Sequence, residues 1–335
     1  MSSRLRNIFF FFGLAAVAFM FYSFDFDFSK VNIFETWPYL IAVVAIWIFV
    51  YGCNAEAYRT IINCLTEGNT ISYRDSYRLT VSGFAISQIT PFGSGGGPYR
   101  ILELQHSIGI NHATSSTVLY SMMHVCSHFC LWTTAVILFP IVHFSLMTPF
   151  YWVLCAILLS IAAIVFYFFN IGYKNGMIVK FFRLMERIPL LGRPFRKWSV
   201  RFADNLRQMD ENIALLHRYS RAFWKSLFME YAARLVNCFE FMFIFVALNL
   251  TPDYFDALFV LALSSLIGNM LFFFPMQIGA REGGLAIMLL ILGIPTVFAL
   301  YCAFYTRLRE LFWVAVGVLV IKIGKLKIRK ADEKP

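Results

Sequence analysis

The chain has 335 residues, of which 59% are hydrophobic, only 14% are charged and 38 are phenylalanine. So few charges cannot cover so much apolar surface in water, which excludes a soluble globular domain and predicts an all-α polytopic membrane protein. The net charge of +10 does not indicate nucleic-acid binding, because basic residues are not interleaved with aromatics on a soluble module. Seven cysteines lack the spacing of a disulfide framework, so we expect reduced thiols.

In chain order, the apolar runs predict about six full transmembrane spans. Arg4 and Arg6 precede the first run, 8–24, and no small-x-small cleavage site follows it, so we expect an uncleaved helix rather than a signal peptide. The remaining spans are expected at 37–53, 113–139, 150–171, 223–249 and 295–321.

Two further pairs of apolar runs are interrupted by breaks rich in proline and glycine. The first pair is 76–90 and 98–108, and the second is 257–274 and 280–293. At ~1.5 Å per residue the first pair measures about 22 and 16 Å, short of the ~30 Å hydrocarbon core. We therefore expect re-entrant pairs of half-helices rather than full spans.

The two breaks correspond to each other. A shift of 184 positions places Pro91 on Pro275, Gly95 on Gly279 and Gly109-Ile110 on Gly293-Ile294. Matching interrupted segments in two halves of a membrane protein indicate an internal repeat with the substrate site at the breaks. We expect repeat 1 at about 74–139 and repeat 2 at about 257–321, within a single domain over 1–321.

The distribution of Lys and Arg orients the chain. The N-terminus, the loop 54–78, the segment 172–222 and the tail 322–335 are basic, which predicts that they are cytoplasmic. The connectors 25–36, 140–149 and 250–256 lack this bias, so the two interrupted pairs enter from opposite faces as an inverted-topology repeat. For 172–222 we expect amphipathic surface helices, which either attract anionic lipid or only set the topology.

The breaks are the expected binding site. The second half-helix of each pair points its N-terminus, with unpartnered N–H groups, at the break, and glycines let a ligand approach the backbone. An arginine lies in each first turn, which suits a phosphate or carboxylate. The alternative is that the glycines only allow tight packing and each arginine pairs with Glu103 or Glu282. The predicted substrate-binding residues are Gly95, Gly96, Gly97, Arg100, Gly279, Arg281, Glu282 and Arg307.

Other polar residues inside apolar runs have structural or coupling roles in this interpretation. The pairs Glu230–Arg234 and Arg307–Glu310 are each one helical turn apart, so each pair can neutralise itself. Glu230 is alternatively the carrier of a coupling proton. Glu240 and Arg309 are further charges in these two spans.

Metal and hydrolase sites are disfavoured. His124 and His128 share one helix face while Cys126 and Cys130 lie on another, so we expect a polar helix contact or cavity lining rather than a metal site. Ser94 is a candidate nucleophile, in a loop that lacks the first glycine of Gly-x-Ser-Gly, and a carboxylate is the other group that an enzyme could use. No nucleotide-binding motif is present, and we expect no cofactor.

Three motifs carry a resemblance to a known family. They are Pro91-x-Gly93-x-Gly95-Gly96-x-x-x-Arg100, then Ile278-Gly279-x-Arg281-Glu282-Gly283 with Leu-Gly-Ile-Pro at 292–295, and Tyr305-x-Arg307. Over about 8–321 the chain resembles the lysylphosphatidylglycerol synthase transmembrane-region family, also called flippase-like domain proteins. In the aminoacyl-phosphatidylglycerol synthases this domain is thought to move the modified lipid between leaflets, while a soluble C-terminal domain attaches the amino acid.

The resemblance implies the flippase half alone, because the chain ends about fourteen residues after its last expected span. We expect a non-enzymatic flippase for an anionic or headgroup-modified lipid in the bacterial inner membrane, with both termini cytoplasmic. The expected partners are membrane lipids, not nucleic acid or nucleotide, and a homodimer is left open. The alternatives are a proton-coupled transporter of a soluble anion and an intramembrane hydrolase using Ser94.

Overall fold

The computed structural model describes residues 33–66, 70–90, 93–174, 220–251, 253–270, 280–323 and 328–329. The expected first helix, most of the basic segment 172–222, Gly279 and most of the tail lie outside these residues. The described part contains nine α-helices: α1 Ile33–Leu65, α2 Tyr73–Ile89, α3 Gly96–Ile108, α4 Ile110–Val142, α5 Pro149–Lys174, α6 Ser220–Ala247, α7 Tyr254–Met270, α8 Ala280–Ile291 and α9 Phe298–Ile323. A two-residue antiparallel pair joins β1 (Thr70–Ile71) to β2 (Ile328–Arg329).

The helices have the length and composition of a membrane protein, as predicted. In the described part of the chain, three stretches are long and apolar enough to cross a bilayer: Thr36–Leu65, Ile110–Val142 and Pro149–Tyr167. Helices α6 and α9, with 28 and 26 residues, also exceed the ~30 Å core at ~1.5 Å per residue, but both carry internal charges.

Helix α1 extends well beyond the predicted span 37–53, so the prediction that residue 54 begins a loop is wrong. The helix continues to Leu65 because its inner face remains apolar: Tyr58, Ile61 and Ile62 are fully buried. Glu56, on the more polar face, bonds to Arg59 one turn away at 3.2 Å and to Lys225 of α6. Because this end of the helix carries polar residues, the sequence prediction placed the end of the helix too early.

The two interrupted helix pairs are present at the predicted places. Helices α2 and α3 form the first pair, and α7 and α8 form the second. The second member of each pair begins at Gly96 and at Ala280, which are again 184 positions apart. The corresponding glycines at the exits, Gly109 and Gly293, have φ of 79° and 73°, in the left-handed region that favours glycine.

Helices of one half pack against helices of the other half in matching pairs. Trp47 of α1 donates a hydrogen bond to Glu240 of α6 at 2.8 Å, and Glu56 of α1 pairs with Lys225 of α6. Residues later in α1 therefore contact residues earlier in α6. The two helices are therefore antiparallel. Helix α2 packs on α9, and α7 packs in the corresponding way on α4. An inverted repeat over 33–142 and 220–323 predicts this exchange.

Among the described residues, the two largest of three apolar clusters surround the helix pairs. One surrounds the first helix pair, with Leu79, Ile86 and Leu119 at its centre, and the other surrounds the second pair, with Leu258 and Phe245. Helices α4 and α9 each run from one cluster to the other. The stretch of each helix between the clusters carries polar side chains, and this layer positions the candidate site.

Candidate functional site: a buried polar layer between the helix pairs

The polar layer is built by five helices. Isolated charges are costly inside a membrane, so each charged group there must be paired or must serve a function. Its members are Arg100 of α3, His124 and His128 of α4, Glu230, Arg234 and Glu240 of α6, Arg281 and Glu282 of α8, and Arg307, Arg309 and Glu310 of α9.

Three arginines and three glutamates near the second helix pair form a continuous network, which we call the arginine–glutamate network: Glu240, Arg281, Glu282, Arg307, Arg309 and Glu310. Arg307 lies at its centre, 2.9 Å from Glu310 and 3.1 Å from Glu282. Arg281 donates to the other oxygen of Glu310. The predicted residues Arg281, Glu282 and Arg307 are therefore brought together, although Arg281 pairs with Glu310 rather than with its neighbour.

At the Arg309–Glu240 end of the arginine–glutamate network, Trp47 contacts both charged side chains. Arg309 donates to both oxygens of Glu240, at 2.9 and 3.3 Å. Trp47 also donates to Glu240 at 2.8 Å, and its ring centroid lies 3.8 Å from the Arg309 guanidinium carbon. Such a bidentate pair with a cation–π contact satisfies both charges without water.

The arginine–glutamate network is neutral and nearly closed. Its three positive and three negative charges cancel, so it offers no net attraction to an anion. The cavity beside Arg281 and Arg307 has a volume of about 10 Å³, which holds one water molecule at most. A headgroup can enter here only if the ion pairs separate.

Arg100, at the first helix pair, has a different environment. Its guanidinium carbon lies 4.8 Å from the Tyr120 ring centroid and 5.8 Å from that of Tyr58. A Cβ atom on Gly83 would come within 2.5 Å of its Nε, so that glycine makes room for it. Among the described residues, Arg100 has no carboxylate within 4.0 Å, and its buried Nε has no acceptor. Its positive charge is therefore unbalanced, and Glu103 does not pair with it.

The glycines before Arg100 combine packing with an open backbone. A Cβ atom on Gly96 would lie 2.0 Å from the Ser87 hydroxyl, and one on Gly95 would lie 2.5 Å from Thr90, so both glycines let α2 and α3 pack closely. Gly97 is roomier, with its nearest neighbour at 3.9 Å. Gly96 and Gly97 are the first two residues of α3, whose N–H groups lack intrahelical acceptors by helix geometry and form the positive end of the helix dipole.

A third group lies between the two helix pairs and was not predicted as a unit. His124 Nδ1 is 2.8 Å from Glu230, and the Arg234 guanidinium contacts both ring nitrogens at 2.7 and 2.9 Å. Arg234 is also 3.9 Å from Glu230, at the predicted i, i+4 spacing. No local signal links His124 to Glu230, because the two residues lie 106 positions apart on different helices.

His128 extends this group toward the second helix pair. The rings of Tyr120, His124, His128 and Trp132 follow one face of α4 at centroid distances of 6.0, 5.4 and 5.5 Å. Within the described residues, no three His, Cys, Asp or Glu side chains could hold a metal ion. All seven cysteines are free thiols.

Two cavities open beside the helix pairs. The larger, about 1080 Å³, lies between α1, α2, α6 and α9. Charged side chains line part of it and apolar ones the rest: Glu56, Arg74 and Arg78 in the first group, and Ile48, Phe49, Met229 and Val320 in the second. The smaller, about 200 Å³, is almost wholly apolar and lies between α4, α5, α7 and α8.

The fold and this site define a multi-pass α-helical membrane protein with interrupted helices and charged groups deep within the bundle. The chain belongs to the lysylphosphatidylglycerol synthase TM region family, whose model matches residues 8–317. The resemblance inferred from the glycine and arginine motifs is therefore confirmed. Neither a curated protein nor a solved structure matches the chain. Family membership connects the protein with lipid-related transport across the membrane.

Proposed function

We propose that this protein moves a phospholipid with an anionic headgroup between the leaflets of the bacterial inner membrane. The observation that carries the proposal is the unbalanced charge of Arg100 beside the open N-terminus of α3. A guanidinium in such a place attracts a phosphate or carboxylate, because no protein carboxylate neutralises it among the described residues.

The two helix pairs differ in charge balance, and we assign them different roles for this reason. The arginines of the second pair are neutralised by glutamates in a cavity of about 10 Å³. An anion therefore meets its first uncompensated positive charge at Arg100. Arg281, Glu282 and Arg307 would contact the headgroup only after their ion pairs open, in a second conformation of the site.

The large cavity favours a lipid over a soluble anion. It opens on the outer face of the bundle, where Phe49 is 67% exposed. Arg74 and Arg78 provide positive charge at the end of α2 that is predicted to be cytoplasmic. A cavity with both apolar and cationic walls suits a molecule with acyl chains and an anionic headgroup, whereas a soluble anion gains nothing from the apolar wall.

A hydrolase is not supported by the contacts of His124. A serine nucleophile needs a base within hydrogen-bond reach. His124 bonds to Glu230 and Arg234 rather than to Ser94. We therefore propose a transporter without a catalytic residue.

The test is leaflet exchange in proteoliposomes containing fluorescent phosphatidylglycerol or phosphatidylcholine, with an impermeant quencher that bleaches the outer leaflet. We expect faster exchange of phosphatidylglycerol with the protein than without it. Arg100→Gln should slow this exchange about 10- to 100-fold, since a charge-assisted hydrogen bond contributes about 1.5–3 kcal/mol.

The matched control is Arg221→Gln, which removes an arginine from the exposed end of α6 and should leave exchange unchanged. Thermal unfolding of each variant checks that it is folded. The proposal fails if Arg100→Gln is folded and exchanges phosphatidylglycerol at the wild-type rate.

A further inference from the structure

Glu230 is a buried carboxylate that uses only one of its two oxygens in hydrogen bonds to the described residues. Its side chain is fully buried, Oε2 lies 2.8 Å from His124 Nδ1, and Oε1 has no partner among the described residues. A buried anion normally fills its hydrogen-bonding capacity, so an empty oxygen has the capacity to take up a proton.

His124 links this carboxylate to accessible space. Its side chain is 38% exposed while its Nδ1 contacts the buried Glu230. An imidazole can take a proton on one nitrogen and release another from its second nitrogen. The residue is therefore placed to pass a proton from accessible space to Glu230.

The contact with Arg234 fixes the resting form of His124. A guanidinium only donates, and Arg234 Nη2 lies 2.7 Å from Nε2 and 2.9 Å from Nδ1. An ionised carboxylate only accepts, and Glu230 lies 2.8 Å from Nδ1 alone, so we assign the acceptor lone pair to Nε2. The ring proton then resides on Nδ1 and is donated to Glu230. If Nε2 gains a proton, it becomes a donor facing a donor and a positive charge facing a positive charge, and the contact with Arg234 must break.

The charged and titratable groups around this site come from several helices. Tyr120 and His128 of α4, Arg100 of α3, Cys53 of α1 and Arg281 of α8 interact electrostatically with members of the group. Glu230 is the single carboxylate among these neighbours. Once it is neutral, the positive charge of Arg234 lacks a nearby counter-charge, as that of Arg100 already does.

We propose that His124 and Glu230 form a proton-binding site that couples proton uptake to binding of the anionic headgroup. A proton enters at His124 Nε2, and the Nδ1 proton moves to Glu230, which leaves a neutral imidazole and a neutral carboxylic acid. Arg234 loses its Nε2 acceptor and its anionic neighbour but keeps its hydrogen bond to Ser127, and its charge becomes available to the headgroup. One proton and one anionic charge are thus taken up together. This coupling rests on the proposed function.

The proton site itself is tested by infrared spectroscopy on the full chain in phosphatidylcholine nanodiscs during a pH titration. The carbonyl stretch of a protonated carboxylic acid should appear on acidification, be absent in Glu230→Gln and have a changed midpoint in His124→Gln. The matched control is Asp256→Asn, because Asp256 also lies 2.8 Å from a histidine, His143, but outside the polar layer. This variant should keep the wild-type band.

The proposal is overturned if Glu230→Gln retains every titrating carboxyl band of the wild type. If Glu230→Gln does not fold, His124→Gln decides, and an unchanged midpoint overturns the proposal equally.

Coupling is tested by exchange of fluorescent phosphatidylglycerol in proteoliposomes whose external pH is varied. We expect the wild-type rate to change about tenfold per pH unit while the protonated form is the minor one, because only that form is active. Glu230→Gln should remove this dependence, and a wild-type pH profile in this variant refutes coupling. Absence of exchange in the wild type at any pH would refute the proposed function, while the infrared titration would still decide the proton site.

Discussion

The neutrality of the arginine–glutamate network makes Glu310 the most informative residue to change. Glu310 bonds to Arg281 and to Arg307, and it lies 3.8 Å from Arg309. In Glu310→Gln, the two buried arginines Arg307 and Arg309 and the partly buried Arg281 share two carboxylates, and one positive charge remains uncompensated. Breaking a buried ion pair by removing one partner costs about 3–5 kcal/mol. We therefore expect a loss of that size in the free energy of unfolding.

The second variant restores the balance of charge. Glu310→Gln combined with Arg281→Gln leaves Arg307 with Glu282 and Arg309 with Glu240, which are the other ion pairs of the network. We expect the double variant to be more stable than Glu310→Gln alone, although it lacks two charged groups instead of one. The measurement is unfolding in mixed micelles at increasing denaturing-detergent fraction, with intrinsic tryptophan fluorescence as the signal.

The control is Glu103→Gln, because no ion pair involves Glu103 in the part of the chain described. The electrostatic argument is wrong if Glu310→Gln unfolds like the wild type. It is also wrong if the double variant loses as much stability as two independent losses would predict, since coupled charges should not be additive.

Three further predictions concern close packing. Gly83→Ala would place a methyl group 2.5 Å from Arg100 Nε, so we expect slower phosphatidylglycerol exchange although alanine favours the helix by about 1 kcal/mol. Gly317→Ala would bring a methyl group within 2.7 Å of a backbone carbonyl of α2, so we expect overpacking to cost about 1–3 kcal/mol in detergent unfolding. Trp47→Phe removes the donor to Glu240, and we expect it to lower the free energy of unfolding by about 1–3 kcal/mol, the cost of an unmade buried hydrogen bond.

Each of these predictions has a direct check. Gly283→Ala is the control for Gly83→Ala, because a methyl group at residue 283 would meet nothing within 4 Å. Equal exchange rates in the two variants would remove the argument that Gly83 makes room for Arg100. For Gly317→Ala, wild-type stability would mean that α2 and α9 separate easily. A Trp47→Phe protein as stable as the wild type would show that Glu240 finds another donor.

The helix breaks were predictable because they arise from local chemistry. Glycine at positive φ ends a helix, and proline removes a helical hydrogen bond, although Pro38 and Pro140 are accommodated near the ends of α1 and α4. The half-helix beginning at Ala280 and the exits at Gly109 and Gly293 were therefore found within a few residues. The end of α1 was missed because polar residues can follow a buried face for several turns, and only packing reveals which face is buried.

The partners of the charged residues were predictable within one helix but not between helices. Spacing of one turn indicated the pairs Glu230–Arg234 and Arg307–Glu310, which lie at 3.9 and 2.9 Å. The contacts of Glu240 with Arg309 and Trp47 join helices far apart in sequence, and no pattern within one helix predicts them. Their consequence, a neutral second helix pair beside a positive first one, appears only when the two halves are packed together.

The sequence by itself determined the membrane class, the two interrupted helix pairs and the family. These depend on composition, on helix breakers and on short motifs, all of which act locally along the chain. Only the tertiary structure decided which charges are balanced and which are not. Arg100 and Arg281 occupy similar positions in matching half-helices. They differ because a glutamate of α9 reaches Arg281 while two tyrosine rings surround Arg100. The balance of charge at a site depends on distance in space, which the order of residues does not specify.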